Sequence, residues 1–229
     1  MRTLILFFAI FLVAAPVARA ESVTEGHLDL GPTTDLTLNI LDHESWKPAD
    51  SIHMVLDDSA KETVPSTYSF IGADEAWVIP QVQKAGIPWL GWNTQYPDLE
   101  KHIDRGIYIE LLTHEGAGDF TLFLNSGFGE PEVLMSTRSQ HQPMWVDLGT
   151  HAHANWVFTA PGEHAISLKL SATTLDGQQI SKTGTLYFSI NSSTATKSQS
   201  MILPAAIIVV VLAIIALVLG IVIGRRRGR

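Results

Sequence analysis

Two histidines separated by a single alanine, His151 and His153, are the residues of this chain best suited to bind a ligand. They begin the segment HAHANWVF, and alternate residues of a β-strand share a face. The alternation predicts an apolar face suited to a core, made of Ala152, Ala154, Trp156 and Phe158. It places His151, His153 and Asn155 on the opposite face. Imidazoles two residues apart on a strand can converge on one metal ion, and neutral imidazole is a common ligand of zinc and similar ions.

The segment His27–Leu30 (HLDL) shows the same alternation near the start of the chain. Its two leucines are expected to face inward, which leaves His27 and Asp29 on the opposite face. Because two histidines alone make a weak site, we expect His27 or Asp29 to join the histidine pair around one zinc or manganese ion. Such a site requires that the first strand lies near His151. The alternative is that these histidines lie on the surface and hydrogen-bond their neighbours.

Tryptophan is the second candidate for ligand binding. Exposed aromatic rings on a β-sandwich can stack on sugar rings, and the residues to test for this role are Trp89, Trp92 and Trp145. They define an alternative function, in which the protein is a non-catalytic surface module that binds cell-wall glycan or a protein partner. The competing interpretation is burial, because tryptophan in a core is the more frequent case.

Motifs of known enzyme classes are missing from the sequence. There is no Gly-x-Ser-x-Gly, no glycine-rich phosphate loop and no aspartate-rich calcium loop, and neither His43-Glu44 nor His114-Glu115 has the second histidine of a zinc protease. The chain has no cysteine, so no thiolate can bind a metal or attack a substrate. We therefore interpret the protein as a binding protein and not an enzyme. Of the remaining histidines, His114 is expected on the surface and His164 at the edge of the core.

These candidate ligands must be positioned by β-strands, because alternating apolar residues recur along the chain. Two such runs flank the tight-turn pair Asp176-Gly177, and others occur over residues 36–40 and 107–111. Short alternating strands punctuated by glycine, proline and Asp-Gly predict an all-β fold, an antiparallel, immunoglobulin-like β-sandwich over residues 21–190. We expect residues 72–96, which contain two prolines and several tryptophans, to form a less regular packed excursion.

The first twenty residues, 1–20, have the features of a cleavable signal peptide. A basic residue, Arg2, precedes a short apolar stretch, and small residues stand at Ala18 and Ala20 before the expected cleavage point. The mature protein is therefore expected to begin at Glu21 and to work outside the cytoplasm.

The other end of the chain predicts a membrane anchor. Residues 201–223 form a run of 23 residues without a charge, and a transmembrane helix needs about 20. The tail 224–229 carries four arginines, which favour the cytoplasmic side. A polar Ser/Thr linker, residues 191–200, joins the span to the domain. We therefore expect a single-pass protein of the cell membrane with its N-terminal domain extracellular.

The predicted extracellular part, residues 21–200, is strongly acidic. It contains all 23 acidic residues but only nine of the 15 basic ones, so its net charge is −14 with histidine neutral. A surface this acidic repels nucleic acid and anionic lipid headgroups, which argues against a nucleic-acid partner. It attracts cations, although acidity also serves solubility.

Several segments together form a recognisable pattern. They are Gly26–Leu30, Thr63–Pro65, Tyr68–Ala73, Trp77–Gln81, Trp89–Thr94 and the long block His151–Gly162, followed by Asp176-Gly177. The pattern resembles the actinobacterial surface-anchored protein domain family, also described as the choice-of-anchor M domain, and covers nearly all of the predicted extracellular part. Members are exported and held at the cell surface, some by a sortase signal and some by a span with a basic tail. Leu203-Pro204 lacks the Thr-Gly of a sortase signal, so this chain resembles the span type.

The resemblance also implies a metal-linked role. Relatives are found alongside ABC uptake systems of the manganese or zinc type, so a metal-uptake ABC transporter, or its binding protein, is the implied partner. The expected function is therefore a membrane-anchored extracellular binding domain that handles a divalent metal ion beside such a system. The surface module for glycan or protein remains the alternative.

Overall fold

The computed structural model describes residues 20–127, 129–140 and 142–192, which belong to one compact unit ending at Ser192. The predicted signal peptide up to residue 19, the linker from residue 193, the predicted transmembrane helix and the basic tail lie outside the described residues. Within the described part, no helix has the length and apolar character needed to cross a membrane.

The described residues form an all-β fold, as predicted. Their strands are β1 (Glu21–Val23), β2 (Gly26–Pro32), β3 (Leu38–Asp42), β4 (Ser45–Pro48), β5 (Ile52–Leu56), β6 (Lys61–Thr63), β7 (Glu75–Ile79), β8 (Pro88–Asn93), β9 (Ile103–Glu115), β10 (Phe120–Leu124), β11 (Glu132–Ser136), β12 (Met144–Asp147), β13 (His151–His153), β14 (Asn155–Phe158), β15 (Gly162–Thr174) and β16 (Gln179–Ile190). Short 3-10 segments occupy Ala49–Ser51, Asp58–Ala60, Ser66–Ile71 and Leu99–Lys101.

The strands form three sheets with mixed pairing. One sheet has the order β1-β5-β16-β15-β9-β12, the second β11-β10-β14-β7-β6 and the third β13-β8-β2-β3-β4. The expectation of purely antiparallel strands is wrong, because β1 with β5, β5 with β16 and β2 with β8 pair in parallel. Parallel neighbours are joined by long crossover connections, and a pattern of alternating residues does not reveal which distant strands will meet.

One hydrophobic core draws residues from all three sheets. The runs on β15 and β16 contribute a row of buried side chains, which are Ile166, Leu168, Leu170, Ala172, Leu186, Phe188 and Ile190. Between these strands lies the Asp176-Gly177 turn, in which Gly177 has a φ of +86° and donates its N–H to the Thr174 carbonyl at 2.9 Å. A left-handed φ of this kind favours glycine.

Two local expectations differ from the structure. Residues 72–96 contain two regular strands, β7 and β8, and both are interior strands of their sheets. Their prolines fit this arrangement, because Pro80 follows β7 and Pro88 is the first residue of β8, where a strand tolerates proline. Leu36 is buried but precedes β3, and its φ of +63° belongs to a turn in which its N–H bonds to the Thr33 carbonyl.

Candidate metal centre

Three neighbouring strands, β13, β8 and β2, bring the predicted ligands to one face of their sheet. β2 and β8 run in parallel, with His27 beside Trp89 and Asp29 beside Gly91. β13 runs antiparallel to β8 and places His153 beside the same glycine. Because residues opposite one another in a sheet share a face, Asp29, Gly91 and His153 form a row across the three strands. Two segments that are distant in sequence are therefore adjacent in the fold.

Gly91 is the residue that lets the histidine on β13 reach the aspartate on β2. A Cβ atom at this position would lie 2.7 Å from Cε1 and Nδ1 of His153 and 2.5 Å from the Ala152 carbonyl oxygen. The imidazole thus occupies space beside the β8 main chain that a side chain would fill. A glycine inside a strand often marks such a close approach. Gly91 is therefore an additional clue to the site in the sequence, independent of the alternating histidines.

Four ligand atoms converge at nearly equal distances, and they are Nε2 of His27, His151 and His153 and Oδ1 of Asp29. The three nitrogens lie 3.1–3.2 Å from one another. The carboxylate oxygen lies 3.2 Å from the nitrogen of His27, 3.1 Å from that of His151 and 3.5 Å from that of His153. These points form a nearly regular tetrahedron whose centre is about 2.0 Å from each corner, and zinc binds imidazole and carboxylate tetrahedrally at about 2.0–2.2 Å.

Hydrogen bonding among the three imidazoles does not account for this arrangement. An imidazole nitrogen either donates through a hydrogen or accepts through a lone pair, and it does not do both. Among three mutually adjacent nitrogens, two are then of the same kind, so at least one contact sets hydrogen against hydrogen or lone pair against lone pair. A cation at the centre removes the conflict, because all three lone pairs and the carboxylate oxygen can point towards it.

The cluster has a buried base and an exposed rim. The side chains of Asp29 and His153 are 1% and 8% exposed, whereas those of His27 and His151 are 41% and 36% exposed. No lysine or arginine of the described residues pairs with the Asp29 carboxylate, and its remaining hydrogen bond comes from Nδ2 of Asn93 at 3.4 Å. A buried carboxylate is destabilising unless a cation or hydrogen bonds compensate its charge, so this group also favours a bound cation.

Burial holds His153 in the form that binds metals. Desolvation lowers the pKa of its imidazole to about 4, against an opposing effect of the Asp29 carboxylate. The side chain is therefore neutral at neutral pH, and neutral imidazole has the free lone pair that a metal ion requires. Its other nitrogen, Nδ1, is buried without a hydrogen bond of normal geometry. The main chain of Leu90 opposes the fall in the pKa of this ring. The same Leu90 carbonyl also accepts a hydrogen bond from Nε1 of Trp156 at 3.0 Å.

Asn155 does not join the cluster, and its expected place beside the histidines is wrong. The chain leaves the sheet of β13 after His153 and enters the sheet of β14 at Asn155, so the segment is not one continuous strand. Asn155 is buried, accepts from the Gln81 N–H at 3.0 Å and donates to the Phe123 carbonyl at 3.3 Å. Its alternation with the histidines therefore does not place it on their face.

The three tryptophans proposed for glycan binding do not form one exposed row. Trp92 is 6% exposed and belongs to the core, because it lies on the face of β8 opposite Gly91. Trp89 is half-buried and stacks on His153, with ring centroids 3.7 Å apart. Trp145 is 41% exposed, but it lies on β12 in another sheet. The structure therefore contradicts a role for Trp92 in stacking on sugar.

A second histidine pair lies away from this cluster. His114, expected on the surface, is half-buried on β9, and its Nε2 lies 2.8 Å from Nδ1 of His164 on β15. His164 is buried at the core, as its alternation with Ile166 indicates, and burial lowers the pKa of both imidazoles. Only the pairing of β9 with β15 brings them together, and the sequence spacing does not show it.

Comparison of the chain with family models, curated proteins and solved structures gives no match. Interpretation of the site therefore depends on its own geometry. Among the described residues, His27, Asp29, His151 and His153 form a group that could hold a metal ion. The donor set is three imidazole nitrogens and a carboxylate oxygen, which is a set that zinc accepts.

Proposed function

We propose that this protein is a membrane-anchored extracellular binding domain whose His27, Asp29, His151 and His153 bind one divalent metal ion. The observation that carries the proposal is the near-regular tetrahedron of four ligand atoms, three of which are imidazole nitrogens that cannot all satisfy one another by hydrogen bonding. The acidic surface of the predicted extracellular part adds an attraction for cations. The ion we assign to the site is zinc rather than manganese.

The preference for zinc follows from the shape and the chemistry of the ligand set. Manganese and magnesium favour octahedral coordination by oxygen ligands, whereas imidazole suits zinc and neighbouring ions. Four ligands of an octahedral ion always include one pair on opposite sides, which lies about 4 Å apart when each bond is about 2 Å. All six spacings in this cluster are 3.1–3.5 Å, which favours a tetrahedral ion.

The same ligand count supports binding over catalysis. Catalytic zinc sites commonly use three protein ligands and keep the fourth position for water or substrate, whereas this cluster offers four.

A separate Ser-His-Glu grouping also lacks catalytic geometry. Nε2 of His53 faces both Ser189 Oγ, at 2.8 Å, and Glu163 Oε2, at 3.2 Å. In a catalytic triad the carboxylate instead orients the histidine through its other ring nitrogen.

Location and partner are inferred from the sequence. The predicted signal peptide, span and basic tail support export and anchoring in the cell membrane, and the resemblance to choice-of-anchor M domains supports a place beside a metal-uptake ABC transporter or its binding protein. We also propose that the sheets pack as an immunoglobulin-like sandwich.

The alternative function is a surface module for cell-wall glycan or a protein partner. One observation favours it, the exposed edge-to-face pair of Tyr108 and Trp145.

Titration of the full-length chain, purified without a histidine tag, tests the proposal. Calorimetry at neutral pH should show one zinc ion bound per chain and much weaker binding of manganese. The double variant His151→Ala, His153→Ala should lose binding, whereas a double variant of two exposed histidines, His43→Ala and His102→Ala, should retain it. Equal zinc affinity in the wild type and the first double variant, or no zinc binding by the wild type, contradicts the proposed site.

A further inference from the structure

The orientation of His153 needs an explanation beyond hydrogen bonding. A metal-binding imidazole usually donates its second ring N–H to a carboxylate, a carbonyl or water, and this bond fixes the ring. For His153 this bond does not have normal geometry: Nδ1 is buried, and only the main chain of Leu90, whose carbonyl also accepts from Trp156, acts on the ring. The ring nevertheless points Nε2 at the other three ligand atoms. A further contact is therefore expected to restrict the ring.

Trp89 is in the position to do so. Its indole lies parallel to the imidazole of His153, with an interplanar angle of 9° and ring centroids 3.7 Å apart. The same indole lies 4.9 Å from the ring of His27, tilted by 36°. On the β8 main chain, the absent side chain of Gly91 leaves the space that the His153 ring fills. Stacking and a close main-chain contact thus restrict the rotation of this imidazole.

Trp89 is itself held by a chain of hydrogen bonds that ends in a different sheet. Its Nε1 donates to the Gln81 carbonyl at 3.1 Å. The Gln81 N–H donates to Oδ1 of Asn155 at 3.0 Å, and Nδ2 of Asn155 donates to the Phe123 carbonyl at 3.3 Å. Asn155 is buried, so this anchor is shielded from water. The connection gives Asn155 an indirect part in the site although it touches no ligand atom.

We propose that Trp89 is the positioning residue that selects a tetrahedral ion, by stacking on the His153 ring, whose second nitrogen has no hydrogen bond of normal geometry. This inference rests on the proposed metal site and names what sets its geometry. Without the indole, the imidazole can rotate and its Nε2 leaves the corner of the tetrahedron. Loss of a hydrogen-bonded outer group weakens metal binding by about 10–100-fold, and we expect a loss of the same order when the stacked ring is removed. The remaining ligands then hold an ion with water completing a less regular shell.

The test compares Trp89→Leu, which keeps an apolar side chain without a flat ring, with Trp89→Phe, which keeps a ring that can stack. Trp145→Leu, on another sheet, is the matched control. Zinc affinity of the full-length chain should fall by about 10–100-fold in Trp89→Leu and remain within a few-fold of the wild type in Trp89→Phe and Trp145→Leu. Cobalt, which absorbs visible light far more strongly in tetrahedral than in octahedral coordination, should lose that absorption in Trp89→Leu alone.

The outcomes separate this inference from the site itself. No metal binding by the wild type contradicts both. The role of Trp89 alone is contradicted if wild type and Trp89→Leu show the same tetrahedral cobalt spectrum and the same zinc affinity. It is also contradicted if Trp89→Leu and Trp89→Phe lose zinc affinity equally. Should Trp89→Leu fail to fold, proton NMR of the zinc-bound wild type decides. The His153 ring protons should shift upfield over the indole face, and unshifted resonances overturn the proposal.

Discussion

Replacing Asp29 by asparagine is expected to affect the metal-free and metal-bound protein in opposite directions. In the metal-free protein the Asp29 carboxylate is 1% exposed, and its described partners are three histidines and the Asn93 amide, without a lysine or arginine. Asparagine has nearly the same shape and no charge. Removing a poorly compensated buried charge should therefore raise the free energy of unfolding of the metal-free protein by about 1–3 kcal/mol.

The metal-bound protein should lose what zinc contributes. A ligand that binds only the folded state at 100 times its dissociation constant stabilises that state by about 2.7 kcal/mol. For a domain of this size, about 1 kcal/mol shifts the midpoint of thermal unfolding by about 2–4 °C, so zinc should raise the wild-type midpoint by about 5–11 °C. A neutral amide replaces the only anionic ligand in Asp29→Asn, and the zinc-dependent shift should largely disappear.

Thermal unfolding of the full-length chain, with a chelator and with zinc, measures both effects. The wild type should melt lower than Asp29→Asn in the chelator and gain stability with zinc, whereas the variant should be nearly insensitive to zinc. A variant that is less stable than the wild type in the chelator would mean that the carboxylate is well compensated without a metal. A variant that keeps the full zinc-dependent shift would show that Asp29 is not a ligand.

Two further predictions concern the histidine and tryptophan assignments. Because burial lowers the pKa of His153 to about 4, the unfolded metal-free chain binds a proton at this residue that the folded chain does not. This contribution to the free energy of unfolding is complete above about pH 6.5 and is lost as the pH falls towards 4, by up to about 3 kcal/mol. The free energy of unfolding, measured with denaturant, should therefore depend less steeply on pH in His153→Gln than in the wild type. Trp92→Ala should lower the free energy of unfolding by about 3–5 kcal/mol, because it empties a core position. Trp145→Ala, which loses one edge-to-face pair at the surface, should lower it by only about 0.5–1.5 kcal/mol, and similar values for both would contradict the burial of Trp92.

The faces of individual strands are the part of the site that the sequence predicts well. Leu28 and Leu30 are buried in the core, and His27 and Asp29 lie on the other face of β2. This agreement has a simple cause, since the direction of a strand side chain depends only on local alternation. The same reasoning places the two leucines and the two polar residues correctly without any knowledge of the neighbouring strands.

The neighbours of each strand are the part that local alternation cannot supply. Nothing in the spacing shows that β8 lies between β2 and β13, or that Gly91 must leave room for His153. Alternation also fails at Ala154, where the chain passes from one sheet to another and carries Asn155 away from the histidines. These features depend on contacts between segments far apart in sequence. When a strand ends one residue earlier than the alternation suggests, the next side chain lies on a different surface.

The arrangement separates folding of the domain from the proposed binding of an ion. β2 and β8 turn the faces opposite the cluster into the core, where Leu28, Leu30 and Leu90 are almost fully buried, and Ala152 of β13 packs against the same core. That apolar contact does not involve the ligands, so the strands keep their places when the ion is absent. Small zinc domains, by contrast, fold only with their metal. Because the ligands on β2 and β13 are brought together across 124 residues by this core, binding need not supply the free energy of folding and can be reversible. The exposure of His27 and His151 at the rim would suit the proposed role, in which an ion is taken up and released rather than holding the fold together.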